Sequence, residues 1–184
     1  MPLPFLLLGI PENRRVTLFQ EALALEGLPP ARVVSWRDFL ADARALGSLP
    51  DEPLLLRVDS PGEDQAVERA LLHRGHEDAR HLGCHAITPS ALDALAPAFG
   101  RILCPRQAHL GFERALGQLE DVLAAHPRWR CLNPPSDIRE LFDKRLTSRR
   151  YSAMGVPVPE PLQDVTDVDS LLASMSARGC GRPS

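Results

Sequence analysis

Apolar positions in the first third of the chain alternate between two rhythms. Residues 5–10 (FLLLGI) form a continuous apolar run of strand length, the pattern of a strand buried on both faces. Asn13 follows as a helix N-cap. Val16, Phe19, Ala22 and Leu23 then recur at helical spacing over residues 14–26, until Gly27, Pro29 and Pro30 stop the helix. The alternation repeats with a strand at 31–36, a helix at 38–46 ended by Gly47, and a strand at 54–58. That strand breaks at Asp59-Ser60-Pro61-Gly62, and Val67, Ala70 and Leu71 mark a third helix.

From residue 79 to 100 the periodicity weakens, and the pattern predicts loop with a short helix near 91–95. Pro105 opens the most regular helix in the chain, in which Phe112, Ala115, Leu116, Leu119, Val122 and Leu123 share one face as far as His126-Pro127. Residues 129–132 predict a short strand returning to the sheet. Asn133-Pro134-Pro135-Ser136 is a break, with Ser136 or Asn133 as cap of a short helix carrying Ile138, Leu141 and Phe142. A helix over 144–154, an extended connection over 155–161 enforced by its prolines, and a last helix over 169–177 complete the reading.

Short apolar strands alternating with amphipathic helices predict an α/β fold, a Rossmann-like parallel sheet flanked by helices. Such sheets bind ligands beyond the carboxyl ends of their strands, which here carry residues 9–15, 36–38 and 59–62. Asn13, Arg14 and Arg15, at the start of the first helix, are candidates to receive a carboxylate or phosphate of a substrate. Asp59 and Ser60 are candidates on the same ground. The competing reading of all five is capping and solvation. Only the first glycine of a dinucleotide-binding Gly-x-Gly-x-x-Gly is present at residues 9–15, which argues against a nicotinamide site. No Gly-x-Ser-x-Gly elbow points to a hydrolase.

Composition narrows the classes further. A net charge of -3 gives no general attraction to nucleic acid or to an anionic membrane, and no apolar run approaches the ~20 residues that span a bilayer. Without a basic stretch and cleavage site at its start, the chain reads as cytoplasmic, acting on a small-molecule substrate. Cys84, Cys104, Cys131 and Cys180 stand singly and read as reduced thiols. His73, His76, His81 and His85, with Cys84, are close in sequence; a zinc site is the sharper reading and a solvated His-rich loop the duller one that their irregular spacing favours. Of the 21 basic residues all but Lys144 are Arg. A GC-rich genome accounts for that bias, but not for where the lysine stands.

Lys144 lies in the most specific pattern of the chain. Asn133-Pro134, then Asp143-Lys144, then a helix with Tyr151 and Met154, then Gly155-Val156-Pro157-Val158-Pro159 resembles the opening of the ATP-grasp domain. The preceding α/β unit resembles the domain that comes before it in that superfamily. The resemblance implies a pre-ATP-grasp domain over 1–132 and the helical beginning of an ATP-grasp domain over 133–184. It also implies that Lys144 contacts a phosphate of ATP. Residues 139–150 carry five bases against two acids, and Lys144 and Arg145 open a helix, where positive charge opposes the macrodipole unless an anion is near. The alternative is a solvated basic face capped by Asp143.

The resemblance implies a ligase that activates a carboxylate as an acylphosphate with ATP and Mg²⁺ and couples it to an amine or similar nucleophile. A second ATP-binding lysine, a Gly-rich flap and the acidic Mg²⁺ ligands are expected after residue 184. This chain is therefore expected to be the front part of such an enzyme and inactive by itself. Two rivals are a noncatalytic α/β module that binds a small anion or a partner, and half of a nucleotide-sugar transferase.

Overall fold

The computed structural model describes residues 2–96, 103–159, 162 and 165–178. Four strands, β1 (Phe5–Gly9), β2 (Arg32–Ser35), β3 (Leu54–Val58) and β4 (Trp129–Cys131), are accompanied by nine helices among the described residues. These are α1 (Arg14–Leu25), α2 (Trp36–Ala41), α3 (Arg44–Gly47), α4 (Gln65–His81), α5 (Pro89–Ala94), α6 (Pro105–Ala125), α7 (Pro135–Phe142), α8 (Lys144–Ala153) and α9 (Val168–Ala177). The strands form one parallel sheet in the order β2-β1-β3-β4. This is a generic Rossmann-like arrangement. The chain divides into two compact units, Met1–Arg139 and Glu140–Ser184, and each is described by itself.

In the first unit the sheet is covered on both faces, because side chains alternate along each strand. Leu6 and Leu8 enter a large core with Trp36 and Phe39 of α2, Val67 and Leu71 of α4, and Phe112, Leu116 and Leu119 of α6. Leu7, between them, packs on the opposite face with Val16 and Leu23 of α1 and with Ala31. The run LLL thus supplies both cores, which is why it shows no polar alternation. From β1 the chain moves outward to β2, then crosses back past β1 to β3. The order of strands therefore reverses between β1 and β3.

Helices α4 and α6 cross at a backbone-to-backbone contact. A Cβ on Gly75 would lie 1.9 Å from the Gln107 carbonyl oxygen, and one on Gly111 1.9 Å from that of Leu71. Only glycine fits at either place. Beside the crossing, the fully buried Gln107 donates its amide to the Leu72 and Ile87 carbonyls at 2.7 and 3.0 Å and accepts the Ile87 N–H at 2.8 Å. This ties down the segment after α4.

Four details depart from the pattern read in the sequence. The helix expected at 38–46 is two helices, because Asp42 turns its carboxylate back to the Arg44 N–H at 2.9 Å and takes an extended backbone, a local bond that competes with the helix. The first piece starts earlier, at Trp36, because Ser35 caps it by accepting the Asp38 N–H at 3.1 Å. Helix α4 runs on through His81, into the region expected to be loop. Neither Asn133 nor Ser136 caps α7: the Asn133 carboxamide accepts the Val58 N–H at 3.0 Å and donates to the Val58 carbonyl at 2.6 Å. It continues, with a side chain, the parallel ladder that Leu132 N–H extends to the Leu56 carbonyl at 2.9 Å.

In the second unit, α8 and α9 bury no side chain. Both begin on an aspartate. Asp143 accepts the Arg145 and Leu146 N–H groups at 3.0 and 2.9 Å, and Asp167 forms a reciprocal capping box with Ser170. Gly155 follows the end of α8 with a φ of 76°, the left-handed conformation that closes helices. Among the described residues no helix is long and apolar enough to cross a membrane. Cys84, Cys104 and Cys131 are free thiols; Cys180 and residues 160 and 161 of the proline-rich connection lie outside the described residues.

Candidate functional site

The loops leaving β1, β2 and β3 meet at the carboxyl edge of the sheet, beside the point where the strand order reverses. They enclose an open cleft of about 210 Å³ lined by Ile10, Glu12, Asn13, Arg14, Arg37, Glu63 and Asp64. In doubly wound sheets this is the position where ligands bind.

Two of the three residues proposed at the start of α1 are already engaged there. Asn13 caps the helix by accepting the Arg15 N–H at 2.9 Å, and its amide donates to Glu63 at 2.8 Å. Arg15 faces Glu63 at 3.6 Å. Glu63 holds this position with a φ of 74°, an uncommon conformation for a residue with a Cβ. Arg14 differs: it lines the cleft, and among the described residues no carboxylate pairs with it.

The opposite wall is an ion-pair network. Arg37 donates through Nε to Asp64 at 2.7 Å and through Nη1 to Glu12 at 3.3 Å. Asp64, with only 4% of its side chain exposed, also caps α4 by accepting the Val67 N–H at 3.0 Å. Burial would push the Asp64 carboxyl up, but the Arg37 guanidinium and the Val67 N–H outweigh it and hold the group below its ordinary range. The same pairing holds Arg37 above its ordinary value.

Asp59 and Ser60 stand at the end of β3 but not in the wall of this cleft. Asp59 accepts from Arg57 Nε at 2.9 Å through one oxygen, and its backbone carbonyl accepts the Trp36 indole N–H at 2.8 Å. Its second carboxylate oxygen, Oδ2, is buried without a hydrogen-bond partner among the described residues. Arg57 in turn lies over the Phe19 ring, 4.4 Å from its centre. Ser60 accepts the Gly62 N–H at 3.2 Å and shapes the turn. Glu12, Glu63 and Asp64 were not singled out by motif; their only signal is that they follow a strand end.

Lys144 belongs to the second unit. Its ammonium donates to the Leu141 carbonyl at 3.0 Å, an acceptor near the end of α7, where the macrodipole favours a cation. Asp143 supplies negative charge at the start of α8. The helix-end conflict that called for an external anion is thus met within the unit. Arg150 pairs with Glu140.

Two of the clustered histidines are separately engaged: His73 bonds Asp93 at 2.9 Å, and His76 meets the Ile87 carbonyl at 3.0 Å. Among the described residues no group of three His, Cys, Asp or Glu side chains is placed to hold a metal ion. Comparison of the chain with protein-family models, with curated proteins and with solved structures finds no match.

Proposed function

We propose that the chain is the front portion of an ATP-grasp ligase, in which the first unit presents a small substrate at the switch-point cleft and Lys144 meets a phosphate of ATP. The observation that carries this reading is a division of labour within the motif. Asn133 is taken up by the Val58 backbone, Asp143 by the α8 N-terminus, and Gly155 by a left-handed turn. Lys144 has no comparable structural duty. One hydrogen bond to an exposed helix end is readily exchanged for a phosphate, and a lysine follows a moving phosphate better than the planar Arg fork. ATP would supply the phosphoryl group: its γ-phosphate passes to a carboxylate, ADP leaves, and an amine then displaces phosphate from the acylphosphate. Mg²⁺ would neutralise phosphate charge, and the residues described here offer it no ligand set.

The test is ATP affinity in the longest natural form of the protein. Lys144→Ala is expected to weaken ATP binding at least about tenfold, the scale of one lost charge-assisted contact, while leaving thermal stability unchanged. Equal affinity in wild type and variant would remove Lys144 from the site.

The reading as an anion-binding module has one observation of its own: Arg14 lines the cleft, and among the described residues no carboxylate pairs with it. On that reading, phosphate raises the melting temperature of the chain, Arg14→Ala abolishes the effect, and Lys144→Ala does not alter it.

A further inference from the structure

Folded proteins pair nearly all of their buried polar side-chain atoms, so each exception asks for a partner from outside the fold. Among the described residues two such atoms have none, Asp59 Oδ2 and Gln65 Nε2. They flank residues 60–64, the loop that brings Glu63 and Asp64 to the cleft. Asp59 is the more costly case, because its side chain is 10% exposed and a carboxylate has room for several donors. Its one side-chain bond among the described residues is the 2.9 Å contact from Arg57 Nε to Oδ1.

The bare oxygen is aimed at the point where the strand order reverses. A Cβ placed on Gly9, the last residue of β1, would stand 3.9 Å from Oδ2, 3.4 Å from Asp59 Cβ and 3.3 Å from Val16 Cγ2 of α1. Oδ2 therefore lies between the ends of β1 and β3, beside the first turn of α1, on the side that Gly9 leaves free of a side chain. Ile10, the next residue, lines the cleft. The loops that leave Gly9 and Asp59 are joined by the Asn13–Glu63 hydrogen bond. That bond links exposed side chains, so the loops can part there without disturbing either core.

A group of opposite charge is left over on the same turn of α1. Arg15 faces Glu63 at 3.6 Å and Arg37 pairs with Asp64, whereas Arg14 lines the cleft with no carboxylate partner among the described residues. A carboxylate oxygen is best met by a cationic N–H donor and a guanidinium by a carboxylate, each through charge-assisted hydrogen bonds. Phosphate would serve Arg14 and be repelled by Asp59. A simple amine would serve Asp59 alone.

We infer that this end of the sheet binds an amino acid as its zwitterion, the ammonium donating to Asp59 Oδ2 and the carboxylate received by Arg14. The inference rests on the reading of the switch-point cleft as the seat of a small substrate, and it names the class of that substrate. A cleft of about 210 Å³ holds one small molecule of this kind.

The test is titration of the whole chain, without ATP, with individual amino acids whose amino group stands α, β or γ to the carboxylate. Calorimetry reads affinity, and NMR reads the Gly9 and Asp59 amides. At least one amino acid is expected to bind and to shift both amides. Its N-acetyl derivative and the matching amine without a carboxylate are expected to bind at least about tenfold more weakly, the scale of one lost charge-assisted contact. Asp59→Asn and Arg14→Gln should each weaken binding by a similar factor. Gly9→Ala, whose methyl meets the Val16 side chain at 3.3 Å and no backbone, should block the ammonium while the chain stays folded. Failure of every amino acid to bind overturns the inference, as does binding that N-acetylation or Asp59→Asn leaves unchanged; phosphate binding alone would leave only the anion-binding module. If Asp59→Asn does not fold, Gly9→Ala and the N-acetyl comparison on wild type decide. Equal ATP affinity in wild type and Lys144→Ala would remove Lys144 from the ATP site and leave an amino-acid result standing, so the two failures are distinct.

Discussion

In the first unit, all four strands and α1, α2, α4 and α6 bury side chains in the two cores on either face of the sheet, whereas in the second α8 and α9 bury none. The two regions are also punctuated alike, with Asn13, Ser35, Asp64 and Thr88 capping helices in one and Asp143 and Asp167 in the other. Caps of equal quality therefore serve unequal ends. In the first unit they trim helices that packing already holds. In the second they act on helices of 10 residues each, below the length at which an isolated helix is stable in water. Leu141, Met154 and Val168 there are more than half exposed. The resemblance to a known superfamily thus rests largely on the region with the weaker packing.

The largest expected effect breaks the packed region. Gly75→Ala places a methyl group into the Gln107 carbonyl at the α4–α6 crossing, and a loss of about 3 kcal/mol or more is expected in denaturant unfolding. Asn133→Ala comes next. It deprives both the N–H and the carbonyl of Val58 of a partner, at about 2 kcal/mol, and hydrogen exchange at the end of β3 should report it. Asp64→Asn removes the charge shared between the α4 cap and Arg37, at about 1–2 kcal/mol. The native carboxyl is held below its ordinary range, so its contribution is present above about pH 3.9 and is lost as pH falls through the folded value. An acid titration of wild type should show this loss, and Asp64→Asn should flatten it. Asp143→Ala has the smallest effect, about 1 kcal/mol confined to α8. It should appear as faster exchange of the α8 amides with no change in the unfolding of the first unit. Equal destabilisation of both units would contradict the contrast drawn between them.

Strands and long helices were legible in the sequence because burial writes itself into composition. FLLLG and LLLRV need no context, and the face made by Phe112, Leu116 and Leu119 is continuous over about two turns. What escaped was set by single polar side chains choosing a backbone partner. Asp42 reads as one more helical residue until its carboxylate takes the Arg44 N–H. Asn133 reads as a cap because Asn commonly is one, and only the arrival of β3 beside it offers the Val58 backbone instead. The cleft was partly legible, since Asn13 and Arg14 were marked after β1, while Arg37 fell only within the strand-end range 36–38 and was not singled out. The approach of Glu63 to Asn13, fifty residues away in sequence, has no local signature.

The glycine crossing of α4 and α6 has a mechanical consequence. Two helices that touch backbone to backbone cannot slide on side-chain rotations, so they move as one strut. At one end of that strut Asp64 forms a wall of the cleft. At the other, α6 passes through His126 into β4 and on to Asn133. A load applied at the cleft is carried along a stiff beam to the place where the chain leaves the sheet.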